Sequence, residues 1–192
     1  MKSIKYTMPI VIFAGGKSSR MGTDKALLPF KGFSTLTEFQ HHKLSHYFNT
    51  LYISTKTDKF NFEANLILDT SKESSPLIGI VSIFEKLKEV DEVFILSVDT
   101  PLVSKAIFDT LILKNEKKYD AIIAHSPKGI EPLCGIYKRT AIPFIEAQSK
   151  QNNHKLTYLL ETINTKHIPF KHQKEFTNLN YLKEYEEVFL FL

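Results

Sequence analysis

Residues 13–28 read Phe13-Ala14-Gly15-Gly16-Lys17-Ser18-Ser19-Arg20-Met21-Gly22-Thr23-Asp24-Lys25-Ala26-Leu27-Leu28, and the rest of the chain is organised around them. Just upstream, Pro9-Ile10-Val11-Ile12-Phe13 is a short apolar run rich in β-branched residues. That is the profile of a strand buried on both faces of a parallel sheet. Gly15-Gly16 ends the run, and without Cβ atoms the backbone can turn sharply and lie close to a ligand. Lys17, Ser18, Ser19, Arg20 and Lys25 follow, a concentration of cations and hydroxyls. Such a loop offers backbone N–H groups and positive charge to a polyphosphate. A glycine turn with solvated charges would explain the glycines, but not the crowding of donors after a buried strand.

Two familiar phosphate loops do not fit. A Walker A loop requires glycine five positions before its Gly-Lys-Ser, where this chain has Val11. A dinucleotide fingerprint requires Gly-x-Gly-x-x-Gly, a spacing that Gly15, Gly16 and Gly22 lack.

Composition sets the class. With 192 residues, 43% hydrophobic and 24% charged, the chain reads as one globular domain, 1–192, large enough for a sizeable core. Its formal charge of +4 suits an anionic ligand, and no Lys/Arg run interleaved with aromatics suggests nucleic acid. Cys134 is the only cysteine, so no intrachain disulfide can form. The apolar run Met8–Ala14 is at the short limit for a signal segment and leads straight into the glycine loop. No stretch is long enough to span a bilayer. A cytoplasmic protein is expected.

In order along the chain, Thr35 and Glu38 have capping-box spacing ahead of a helix. Strands are expected at Leu51–Ser54, Leu66–Leu68, Val93–Val98, Ala121–Ala124 and Gly135–Lys138. Helices are expected at Ile80–Val90, Ser104–Lys114, Thr140–Gln148 and Lys155–Glu161. Strands alternating with helices imply a mostly parallel sheet covered on both faces. In such sheets ligands lie beyond the carboxyl ends of the strands. Gly15-Gly16, Asp69 and Asp99 each follow a predicted strand, so one rim would hold a phosphate loop and two carboxylates. Asp99, past the most apolar strand and before Pro101, is placed to take a hard cation; the plainer reading is an Asp in a turn before a helix.

These residues also carry a family resemblance. Ala14 to Gly22 with Asp24-Lys25-Ala26-Leu27-Leu28 resembles the signature loop of nucleotidyltransferases, and within them the molybdenum cofactor guanylyltransferases. The resemblance implies a three-layer, Rossmann-like α/β nucleotidyltransferase fold. It implies transfer of GMP from GTP to the phosphate of molybdopterin, with release of pyrophosphate and Mg²⁺ as cofactor. By the same resemblance, Phe13, Ala14, Gly15, Gly16, Lys25, Ser54, Asp69, Gly79 and Asp99 face the nucleotide. Arg20, Lys25 and Asp99 carry the chemistry, and Asp99 holds the metal. Asp69 would accept from guanine N1–H and the exocyclic amine, although an Asp that caps a loop would look the same. Asn178 and Asn180, in Phe176-Thr177-Asn178-Leu179-Asn180, would hold the pterin, and an Asn cap is the plainer reading of Asn180. The chain departs from the family with Ser75 in place of a glycine and with Tyr181-Leu182-Lys183-Glu184 after Asn180.

Two further activities stay open on the sequence: a cytidylyl- or sugar-phosphate nucleotidyltransferase of the same fold, and a nucleotide-binding regulator without turnover; on any of these readings, contacts with molybdoenzymes or delivery proteins are expected. His42 and His46 have chelating spacing but no third ligand, so they read as structural. Cys134 reads as a small buried residue. Val188–Leu192, apolar to the end, should dock on the body or on another subunit.

Overall fold

Period-2 alternation along the central strands divides the core into two layers. In the computed structural model, which describes residues 5–15, 24–69 and 75–179, the first apolar run forms β1 (Ile10–Phe13), buried throughout. Ile10 and Ile12 enter one apolar cluster, Val11 and Phe13 the other. β4 (Glu92–Ser97) repeats the division: Phe94 and Leu96 on the first face, Val93 and Ile95 on the second.

β2 (Leu51–Thr55), β3 (Leu66–Leu68), β5 (Ala121–Ser126), β6 (Gly129–Lys138) and β7 (Thr165–Pro169) complete one sheet. Its order is β3-β2-β1-β4-β6-β5-β7. β1 pairs in parallel with β2 and β4, β2 with β3, and β5 with β7. β6 alone runs against its neighbours β4 and β5. α1 (Leu36–Ser45) and α3 (Lys105–Leu113) cover the first face with Leu36, Leu44, Ile107, Phe108 and Leu111. α2 (Pro76–Lys86), α4 (Ile142–Lys150) and α5 (Leu156–Thr162) cover the second with Leu77, Ile80, Ile83, Ile145 and Leu159. This is the expected three-layer α/β architecture with a mostly parallel sheet.

Three elements differ from expectation for local reasons. α2 starts at Pro76, not Ile80, because the Ser75 hydroxyl accepts from Ile78 N–H at 3.3 Å and Pro76 occupies the first turn. It ends at Lys86, where the Arg139 guanidinium donates to the carbonyls of Phe84, Leu87 and Val90. β6 begins six residues earlier than predicted, as the second arm of a hairpin with β5. β7 was not anticipated; as an edge strand carrying Lys166 and His167 it lacks the apolar run of a buried strand. The predicted Thr35 cap is present, accepting from Glu38 N–H at 3.0 Å, while the Glu38 carboxylate accepts from Ser34 N–H, one residue early. Val188–Leu192 lies outside the described residues.

β6 also carries a wide bulge. Ile123 of β5 pairs with Gly135, but the next residue, Ala124, pairs with Glu131, so Pro132, Leu133 and Cys134 have no partner on β5. The buried Tyr137 hydroxyl donates to Pro132 O at 2.7 Å and closes the bulge. Glycine is required where the bulge ends: a Cβ on Gly135 would lie 2.4 Å from Ile122 O. Gly135→Ala should therefore push β5 and β6 apart and cost about 3 kcal/mol, lowering Tm by about 6–12 °C in a thermal melt.

Candidate active site

The strand ends define one rim, and side chains remote in sequence hold it. Ala14 N–H donates to Ser54 O at 2.9 Å and joins the ends of β1 and β2. Asp69 follows β3, is 7% exposed, donates its N–H to Thr55 O and forms an ion pair with Lys56 at 2.8 Å. Phe13 and Gly79, expected at the nucleotide, are in packing contact: a Cβ on Gly79 would lie 2.7 Å from Phe13 Cε1. The Phe13 ring is in the second apolar layer, and its carbonyl accepts from Val98 N–H at 3.0 Å.

Lys59, which sequence reasoning missed, ties Ala14 to Asp24. Its ammonium donates to Ala14 O at 3.0 Å, just past β1, and pairs with Asp24. The Asp24 carboxylate also caps the 3-10 turn Lys25–Leu27 by accepting from Ala26 N–H at 3.0 Å. Thr37 of α1 donates to Ala26 O at 2.7 Å from the other side. Lys59→Met should thus free Ala14 from Asp24 and lower kcat/KM for the nucleotide by about tenfold to a hundredfold, since misplacement by about 1 Å costs that much. Steady-state kinetics beside a circular-dichroism melt would separate this from unfolding.

Asp99 sits on a braced turn. Lys25 Nζ is 3.5 Å from its Oδ2, and the Ser97 hydroxyl donates to Oδ1 at 2.6 Å. The turn's carbonyls are engaged by α1: Lys43 Nζ donates to Pro101 O and Val103 O, both at 2.7 Å, and Gln40 Nε2 approaches Val98 O at 3.5 Å. Burial pushes the Lys43 ammonium down to about 8, with Glu175 opposing. Leu179 N–H donates to Asp99 O at 2.8 Å, which brings the late Asn178 segment to the rim.

Beside Asp99 opens a cleft of about 340 Å³, lined by Ser97, Thr100, Glu131, Cys134 and Asn178 and walled by Pro76, Pro132, Leu133 and Leu156. Burial pushes the Glu131 carboxyl above the usual range; Asp99 adds to the push, while Ser126, Lys128 and His125 oppose it. Cys134 is 2% exposed, and burial raises its thiol far beyond the reactive range, as expected of a packing residue.

Lys25, Asp99 and Asn178 thus converge, with Ala14, Gly15, Ser54 and Asp69 along the same rim. Gly16, Arg20 and Asn180 lie outside the described residues. His42 and His46 stack edge to face at 4.9 Å, and His46 Nδ1 is 2.9 Å from His42 O, a helix-surface contact. Among the described residues no three His, Cys, Asp or Glu side chains gather as a metal cluster. The rim suits a cation that arrives with its substrate: Mg²⁺ commonly takes one or two carboxylates and completes its shell with phosphates and water, and Asp99 supplies one carboxylate. No helix among the described residues is long and apolar enough to cross a membrane.

Comparison with known proteins fits this geometry. The model of the MobA-like NTP transferase domain matches residues 10–167. The chain belongs to the MobA-like NTP transferases. It is 38% identical over 179 residues to the molybdenum cofactor guanylyltransferase of Campylobacter jejuni subsp. doylei, covering 92% of this chain and 93% of that protein. A molybdenum cofactor guanylyltransferase of Helicobacter pylori is 35% identical over 188 residues, covering 93% and 90%. The crystal structure of molybdopterin-guanine dinucleotide biosynthesis protein A from Archaeoglobus fulgidus superposes with a TM-score of 0.81 at 22% identity, over 96% of this chain and 98% of that one, and shares the fold. A MobA-like NTP transferase is a nucleotidyltransferase enzyme, and enzymes of this kind generally depend on a divalent metal.

Proposed function

We propose that this MobA-like NTP transferase moves GMP from GTP to the terminal phosphate of molybdopterin, releasing pyrophosphate and forming the guanine dinucleotide cofactor. The observation that carries the reading is the Lys25–Asp99 pair: the cation of the loop after β1 meets the carboxylate after β4, next to a cleft able to hold a second substrate. The relatives named molybdenum cofactor guanylyltransferase, similar along nine-tenths of their length, support the choice of GTP and of the acceptor.

An acceptor phosphate oxygen attacks the α-phosphorus of GTP. The new P–O bond forms as the bond to the β-phosphate's bridging oxygen breaks, and pyrophosphate leaves with that electron pair. The acceptor is a phosphate monoester, largely ionised at neutral pH, so no side chain has to remove a proton. Catalysis is then positioning and charge neutralisation. Lys25, with Arg20 and the Gly15-Gly16 amides, holds the triphosphate and offsets charge on the leaving pyrophosphate. Asp99 is the residue that would hold Mg²⁺, whose chemistry is to neutralise the phosphate oxygens at the reacting centre. Asp69 and Ser54, along the rim, would face the nucleoside, and Asn178, at the cleft, the acceptor. The chain acts as one domain in the cytoplasm, where nucleoside triphosphates are made.

Thermal shift with GTP, CTP, UTP, ATP and dTTP plus Mg²⁺ tests the donor, and pyrophosphate release with molybdopterin tests the reaction. The largest shift with GTP and acceptor-dependent release are expected. Preference for CTP would assign the chain to cytidylyl transfer, and binding without release would make it a regulator.

A further inference from the structure

We infer that Glu131 is the specificity residue for the acceptor, taking the paired N–H donors on the 2-amino-4-oxo edge of its pterin ring. The inference rests on the guanylyl-transfer reading above and adds the residue that recognises the second substrate.

Sheet order supplies the placement. Asp69 follows β3, the glycine loop follows β1, Asp99 follows β4, and Glu131 lies on β6, the next strand over from β4. Asp69 and Glu131 are therefore on opposite sides of Asp99. β3 and β4 are three strand spacings apart, roughly 14 Å. A nucleotide laid from Asp99 toward β3 leaves the β6 side to the molecule that attacks it.

The cleft on that side suits a flat heteroaromatic ring. Its walls are the apolar faces of Pro76, Pro132, Leu133 and Leu156, and about 340 Å³ is within the usual range of small-molecule sites. Among its lining residues, Glu131 and Asp99 are the two carboxylates. Asp99 is engaged by Lys25 and Ser97, and Glu131 by the Ser126 hydroxyl. A pterin edge presents N3–H and a 2-amino group side by side. An ionised carboxylate, which accepts through both oxygens, answers that pattern; an amide meets it with one donor facing another.

The bulge delivers Glu131 to this place. The three residues between Gly135 and Glu131 that lack partners on β5 form part of the cleft wall. Bulges beside active sites commonly re-aim a side chain in this way. Burial and the Asp99 charge push the Glu131 carboxyl above the usual range, while Ser126, Lys128 and His125 favour its ionised form.

Glu131→Gln decides the matter. With saturating GTP and Mg²⁺, pyrophosphate release should show the KM for molybdopterin raised about tenfold to a hundredfold, the worth of a hydrogen bond to a charged group. The KM for GTP and the GTP-induced thermal shift should stay at wild-type values, and Tm should not fall. An unchanged KM for molybdopterin overturns the proposal. So does a rise confined to the KM for GTP, which would give the cleft to guanine, and so does a parallel rise of both KM values with a lower Tm, which would make Glu131 structural. Fluorescence titration with pterin-6-carboxylate and lumazine-6-carboxylate, which differ in the 2-amino group, needs no turnover. Wild type should prefer the pterin by about tenfold and Glu131→Gln should lose the preference. Absence of preference in the wild type overturns the proposal. If the wild type releases no pyrophosphate with molybdopterin but keeps the pterin preference, the reaction assignment fails and the role of Glu131 stands.

Discussion

Asp99→Asn should fold and yet lose Mg²⁺-dependent nucleotidyl transfer by on the order of 10³-fold, about 4 kcal/mol of transition-state stabilisation. The turn itself is held by bonds the substitution spares: Lys43 to Pro101 O and Val103 O, Thr100 Oγ1 to Ser97 O, and Leu179 N–H to Asp99 O. The ion pair lost is long, 3.5 Å, and partly exposed, so stability should change by less than about 1 kcal/mol. The carboxylate's charge is what changes. Near a triphosphate it repels unless a cation lies between, so wild-type GTP affinity should tighten as Mg²⁺ is added. In the variant, calorimetric titration at several Mg²⁺ concentrations should give a nearly flat response. If Asp99 only braces the turn before α3, the variant would instead melt early and keep its metal response.

Lys25→Ala should be nearly as damaging to catalysis and as mild to the fold. The lysine begins a 3-10 turn whose cap comes from Asp24 and whose Ala26 carbonyl is held by Thr37, so removing the side chain leaves the backbone anchored. Turnover should fall by about 10²–10³, the loss typical of one preorganised charge at the developing negative centre. Single-turnover pyrophosphate release, with Tm as control, would measure it, and near-wild-type release would remove Lys25 from the phosphate site. Because Lys25 and Asp99 act on the same phosphates, the double variant should fall far short of the product of the two losses.

Local chemistry made much of this legible before any coordinates. Apolar runs ahead of Gly15, Asp69 and Asp99 marked strands whose carboxyl ends form the rim, and Thr35 with Glu38 marked the start of α1. Those signals are contained within a few residues, because strand burial, turn conformation and capping depend on near neighbours. The α2 boundary is the converse case: Ser75 caps the helix and Pro76 fills its first turn, four residues ahead of the expected start at Ile80.

The supports of the site had no local mark. Lys59 bridges Ala14 and Asp24, Lys43 and Gln40 reach from α1 to the turn after β4, and Glu131 reaches the cleft through a register shift against β5. Each is an ordinary Lys, Gln or Glu in sequence. Its partner is a backbone carbonyl or a cleft that exists only once strands distant in the chain are hydrogen-bonded side by side. The direction of β6 belongs to the same class, since it is set by pairing with β4 and β5, remote in the chain or across a hairpin, and not by the strand's own residues. Residue type and near-neighbour spacing thus sufficed for the strands that precede Gly15 and Asp99 and for the cap that starts α1. Pairing between remote segments set how they are held and what lies beside them.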